Sequence, residues 1–366
     1  MLKQILVTMA AMATVLVVSA MAGAAEPQSD PSNAPHLDMG NATQVAAKFF
    51  YPGEDGDVPG RGKQIVLISG DEEYRSEEAC VCLAEILAKH HGFYCTVLFA
   101  IDPKTNEIDP VINDNIPGME ALKAADLCII ATRFRNLPDE QMQYFADYVN
   151  RGGAFIGLRT ATHGFNIPDD RKFAEYSWNA SKESGWDGGF GRQVLGETWI
   201  AHHGNHGVEA TRGIVAPGQE KNSLVRGCED IFGPTDVYTV RLPLPGDSTP
   251  IFLGEVLTGM NPTDPPVQNE KNDPMMPIAW TKTYQSPADA SKTGRVFTTT
   301  MGAATDLPSE GVRRMIVNGV YWCIGIEDQI PEAGTNVELT GPFKPTHFGF
   351  GKHIPGKKPV DYMSEQ

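Results

Sequence analysis

Four imidazoles sit where their spacing allows joint chemistry. Three fall within five residues, in Ala201-His202-His203-Gly204-Asn205-His206, and the fourth ends Gly157-Leu158-Arg159-Thr160-Ala161-Thr162-His163. Imidazole changes charge near neutral pH and is a common metal ligand. His163 is the strongest single candidate for moving a proton. Arg159 beside it offers a positive charge for a substrate oxygen, and Thr160 offers a hydroxyl. The alternative for His163 is to orient its own turn by hydrogen bonding. In an extended segment His202 and His206 share one face and His203 opposes them. That pair suggests zinc or another divalent ion, with a third ligand from Asp71 or His163. The competing reading is a polar wall against a sugar, with Trp199 or Trp186 stacking on the ring.

Two further clusters carry charge. Asp71-Glu72-Glu73-Tyr74-Arg75 sets Asp71 and Glu72 side by side, and paired carboxylates shift one another's pKa toward the range useful for acid–base work. They can equally be solvated acids facing the next helix. Arg133 and Arg135 can clamp a carboxylate, a phosphate or sugar hydroxyls, or can bridge internally to Asp71, Glu72 or Glu73. No Cys or Ser stands at the strand-to-turn elbow of residues 157–161, and no G-x-S-x-G occurs there. No G-x-G-x-x-G follows the first strand. No organic cofactor is expected.

The elements around these clusters alternate. Apolar runs at 64–70, 94–100, 126–132 and 154–160 read as strands. Helices are expected at 77–91, 118–125 and 138–150. Ser76 is placed to cap the first helix and Gly92 to close it. Strands apolar throughout are buried on both faces, so the pattern predicts a flavodoxin-like α/β fold, a parallel sheet with helices on both sides. The clusters after strands one, three and four then meet at the carboxyl edge, where ligands bind in such sheets. The second half is strand-rich, with runs at 208–215, 237–242, 250–257, 278–281 and 295–300. A last helix spans 309–323. Residues 327–366 read as an irregular tail that wraps the surface. No internal repeat is visible.

The first 25 residues of the 366 read as a cleaved signal peptide: Lys3, an apolar stretch, then Ala22-Gly23-Ala24. The protein is therefore expected outside the cytoplasm, periplasmic or extracellular, with no membrane contact after cleavage. Residues 26–60 read as an extended arm and 61–326 as the main domain. Lys3 is the only charged residue of the leader, so its loss takes the formal charge of −16 to −17. Such a surface repels nucleic acid and anionic lipid. The six Cys do not suggest a disulfide framework; Cys228 with Cys323 is the one pairing considered.

At these residues the chain resembles the ThuA-like family, named for trehalose utilisation, and most of all its exported branch. The motifs are Gly70-Asp71-Glu72-Glu73-Tyr74-Arg75-Ser76-Glu77-Glu78, Thr132-Arg133-Phe134-Arg135, Gly157-Leu158-Arg159-Thr160-Ala161-Thr162-His163, His202-His203-Gly204-Asn205-His206-Gly207 and Gly294-Arg295-Val296-Phe297-Thr298-Thr299-Thr300-Met301-Gly302. The resemblance covers about 62–326. It implies a class I glutamine amidotransferase-like fold without that nucleophile, and a small-molecule carbohydrate partner. It also implies a place in sugar catabolism, often beside oxidoreductases that make keto-sugars. Many family members have a His where this chain has Arg159, which moves the expected proton carrier to His163. The expected activity is proton-transfer chemistry on a glycoside or keto-sugar. The alternatives are a non-catalytic sugar-binding protein and a zinc hydrolase using His202 and His206.

Overall fold

Strands β2 (Gln64–Gly70), β3 (Tyr94–Phe99), β4 (Leu127–Thr132) and β5 (Ala154–Leu158) run parallel, as their continuous apolar composition requires. The computed structural model of the chain describes residues 46–49 and 58–363. Alternate side chains feed two cores. Ile65, Leu67 and Ile129 pack under helices α1 (Ser76–His91) and α3 (Glu310–Cys323). Val66, Ile68 and Ile130 pack against α2 (Asp139–Asn150) on the other face. The late strand β10 (Thr293–Thr299) joins β5 in parallel. The parallel order is β3-β2-β4-β5-β10, which in chain order is the flavodoxin arrangement. Its switch point lies between β2 and β4.

The second half extends the same sheet rather than forming a second domain. Strands β6 (Thr211–Val215), β7 (Phe232–Gly233), β8 (Thr249–Val256) and β9 (Met276–Gln285) add antiparallel to β10 in the order β10-β9-β8-β6-β7. At the opposite edge β1 (Ala46–Phe49) pairs antiparallel with β3. The ten strands thus end in a four-residue and a two-residue strand.

Several local expectations need correction. Ser76 does not cap α1: it is the first helical residue, and its hydroxyl meets Ser69 Oγ at 2.8 Å and accepts from the Asp71 amide at 3.1 Å. The cap position belongs to Arg75, in the left-handed region at φ 56°. Residues 118–125 tighten into a 3₁₀ turn, Met119–Lys123. Residues 237–242 form no strand; a single bridge joins Tyr238 to His202. The stretch read as an arm contains β1. Cys228 and Cys323 are not joined, and all six cysteines are free. The leader and most of the arm lie outside the described residues. No helix among the described residues is long and apolar enough to cross a membrane.

Candidate functional site

The loop after β2 is fixed by Asp71. Its Oδ1 accepts from the amides of Glu73 (2.7 Å) and Tyr74 (3.1 Å), and its Oδ2 accepts from the Thr160 hydroxyl (2.5 Å). All its close contacts are inward, and it is 1% exposed. Thr160 is spent on the same latch. Glu72 is engaged by both arginines of the β4 turn: Arg133 bonds its Oε1, and Arg135 donates to its Oε2 at 2.6 Å. This is the internal bridge weighed above. Arg135 also donates to the carbonyls of Pro110 and Ile112 at 2.9 Å each, so it ties the β3–β4 connection to the site floor. Glu73 and Tyr74 are buried too and face the histidine segment: Glu73 Oε1 lies 3.4 Å from His206 Nε2, and Tyr74 OH lies 3.4 Å from His206 Nδ1.

The turn after β5 has the sharp form of a nucleophile elbow, with φ 43° at its first residue, yet that residue is Arg159. Its guanidinium is buried between the rings of Tyr74 and Tyr238, 4.6 and 3.9 Å from their centroids. It donates to the carbonyls of Asp236 (2.6 Å) and Thr300 (2.8 Å), to Tyr74 OH (3.1 Å) and to Asp236 Oδ1 (2.8 Å). Arg159 is thus the buried anchor of the site, and what it anchors is Asp236.

Asp236 is the residue that sequence reasoning missed. The short pair β6–β7 and the Tyr238–His202 bridge carry it under the histidine segment. Its Oδ2 meets His202 Nδ1 at 2.7 Å, and its Oδ1 meets His206 Nδ1 at 3.0 Å. Burial alone would raise its pKa. The Arg159 charge and the two imidazole hydrogen bonds outweigh burial and hold the carboxyl well below the usual carboxylate range. An ionised carboxylate only accepts, so both imidazoles carry their proton on Nδ1 when neutral, and both Nε2 atoms are left basic. His206 Nε2 lies 3.4 Å from Glu73 Oε1. Burial pushes the Glu73 carboxyl up, against the pull of Arg133. The Glu73 carboxyl and the His206 Nε2 therefore face one another across 3.4 Å.

The other expected residues divide. His203 faces away, its Nε2 on the Lys271 carbonyl at 2.8 Å. His163 is 3% exposed, with Nδ1 3.2 Å from Thr162 Oγ1. Its ring lies among Phe134 (4.9 Å), Trp199 (5.4 Å) and Tyr238 (6.2 Å). Burial, with the Arg133, Arg159 and His202 charges, drives its pKa well below the ordinary value, so it stays neutral. Trp199 is half-buried and edge-on to His202 at 5.8 Å. Trp186 packs on Tyr176 in the α2-side core, away from the site.

His202, His206 and Asp236 are also the one group of three among the described residues whose ligand atoms lie close enough for a metal, within 4.8 Å. The third member is neither Asp71 nor His163. Two ligands on a tetrahedral zinc at about 2.0–2.1 Å stand roughly 3.3 Å apart. The 2.7 and 3.0 Å contacts are hydrogen-bond lengths, so the triad as it stands is protonated, and a cation would have to displace those protons.

Fold and site together define a doubly wound α/β protein with a His–Asp–His cluster at its carboxyl edge and an arginine at its elbow. The sequence model of the ThuA family, described as trehalose utilisation, matches residues 65–323, and the chain belongs to that family. Among solved structures it is similar to a protein described as ThuA-like from Bacteroides uniformis ATCC 8492, 16% identical, covering 75% of this chain and 95% of that one, with a TM-score of 0.39. A second, also described as ThuA-like, from Parabacteroides merdae ATCC 43184, is 13% identical over 83% and 99% of the chains, with a TM-score of 0.45. No curated protein matches the chain.

Proposed function

We propose that this exported ThuA-family protein processes a glycoside or keto-sugar by proton transfer at His202, His206 and Glu73. One observation carries the reading: a buried Asp236 holds two imidazoles by their Nδ1 atoms, and the Nε2 of one of them lies 3.4 Å from the Glu73 carboxyl. An imidazole Nε2 takes the proton next to the sugar carbonyl. Glu73 returns a proton to the departing oxygen. Arg159 keeps Asp236 charged throughout, and neutral His163 supports Trp199, whose ring faces the sugar. Export rests on the character of residues 1–25.

The test is turnover of a panel of keto-glycosides and their parent glycosides. His202→Ala and His206→Ala are expected to lower kcat by about 10²–10⁴-fold, the usual worth of general acid–base catalysis. Wild-type rates in both variants would end this reading. Binding without product would make the protein a sugar-binding one.

The proximity of the three ligand atoms favours a second reading, a divalent ion on His202, His206 and Asp236 that polarises a sugar oxygen. On the proton-transfer reading, turnover survives dialysis against a chelator. A stoichiometric ion found by elemental analysis, lost together with activity, would replace it with the metal reading.

A further inference from the structure

Residues 327–363 lie beyond the span of the family match, yet they close the site. The tail runs back along α1, held at each step. His91 Nε2 meets the Asn336 carbonyl at 2.7 Å, Thr340 bonds Glu85 at 2.5 Å, and the Thr346 amide donates to Glu78 at 2.7 Å. The Gly349 amide then donates to the Glu73 carbonyl at 2.7 Å, and the Ile108 amide to the Lys357 carbonyl at 2.7 Å. Between these anchors Phe348 is buried, with its ring 5.6 Å from Tyr74 and 5.4 Å from His206. Phe350 differs. It is 60% exposed, between glycines at φ 133° and 66°, and its ring covers Arg133 Cζ at 5.1 Å while Phe134 covers the same guanidinium at 4.6 Å.

A large aromatic ring left this open on a fixed support, continuous with a candidate sugar site, has a free apolar face of the kind that receives the C–H face of a pyranose. The row of rings continues from Phe134 to Trp178 (5.6 Å) and on to Trp199 (6.2 Å). Phe350 is linked to His206 through Arg133 and Glu73 (Arg133 Nε–Glu73 3.5 Å, Glu73–His206 Nε2 3.4 Å). We infer that Phe350, backed by Arg133, is a stacking subsite for the second sugar ring of a disaccharide, and that the tail thereby sets substrate size. This rests on the carbohydrate reading above.

The experiment is calorimetric titration of trehalose, cellobiose and glucose into wild type, Phe350→Ala, Phe350→Trp and Trp199→Ala. Phe350 is exposed, so its variants should fold, and a thermal melt checks this. Phe350→Ala should weaken at least one disaccharide by about fivefold to tenfold, the scale of one aromatic stack, and leave glucose within twofold. Phe350→Trp should restore the loss. Disaccharide binding unchanged in Phe350→Ala, while Trp199→Ala weakens it, would overturn the subsite alone. Equal losses for glucose and disaccharides would also overturn it, by placing Phe350 at the first ring. Absence of any sugar binding by wild type would remove the carbohydrate reading and the subsite with it.

Discussion

Replacing Asp236 with alanine will cost about 3–5 kcal/mol of folding stability, the usual price of breaking a buried ion pair from one side. Arg159 would remain walled in by Tyr74 and Tyr238, with its charge facing two imidazoles and its ion pair gone. Folded proteins are stable by only about 5–15 kcal/mol, so urea denaturation should show a large fall in midpoint. Asp236→Asn keeps the shape and one acceptor oxygen, so it should lose less stability. Its NH2 would face one of the two Nδ1 atoms, which needs an acceptor, so turnover should still fall by about 10²–10⁴-fold. The pH dependence follows in sign. The folded pKa is depressed below the unfolded value of about 3.9. The Asp236 contribution is therefore full above that value and is lost as pH falls through the lower, folded one. An Asp236→Ala protein as stable as wild type at pH 7 would show that Arg159 finds another partner.

Glu77→Gln is expected to gain on wild type as pH rises. The Glu77 side chain is 4% exposed, neither carboxylate oxygen has a hydrogen-bond partner, and the nearest cation, Arg75 Nη1, is 3.8 Å away. Burial pushes its pKa to about 7, with Arg75 pulling the other way. The unfolded chain releases this proton first, near pH 4.5. The stability that Glu77 contributes is therefore fully present below that pH, declines between roughly 4.5 and 7, and is level above. The interval corresponds to a change on the order of 3 kcal/mol. Glutamine does not titrate, so the stability difference between the two proteins should move by about that much in favour of Glu77→Gln between pH 4 and 8. Urea midpoints at both pH values check it. A difference that stays constant would place the carboxyl in contact with water.

The parallel core was readable because burial on both faces makes β2, β4 and β5 mostly apolar, and because strand ends in such sheets converge. That reasoning found Arg133, Arg159 and the loop of Asp71. It could not tell which partner each side chain of that loop meets. Asp71, Glu72 and Glu73 are consecutive carboxylates, and only the folded amides, the arginines and His206 distinguish them. His163 illustrates the same gap. A histidine at a strand end looks the same in sequence whether it meets water or a cage of Phe134, Trp199 and Tyr238, residues distant along the chain. The histidine segment announced itself by composition, with His202 and His206 on one face and His203 opposed. Its carboxylate did not, because Asp236 arrives from an irregular stretch through a two-residue strand and one bridge. The only hint was an acid just before the apolar run at 237. Ser76 had the right chemistry for a cap, but the left-handed backbone at Arg75 shifted the helix start by one residue.

The two outermost strands carry a consequence for behaviour in concentrated solution. A ten-stranded sheet with long bare margins would template the addition of neighbouring molecules. Among the described residues β1 gives only four, with Lys48 turned to water, and β7 only two. Within those residues neither offers a ladder long enough to recruit another polypeptide, which discourages lateral stacking into fibrils.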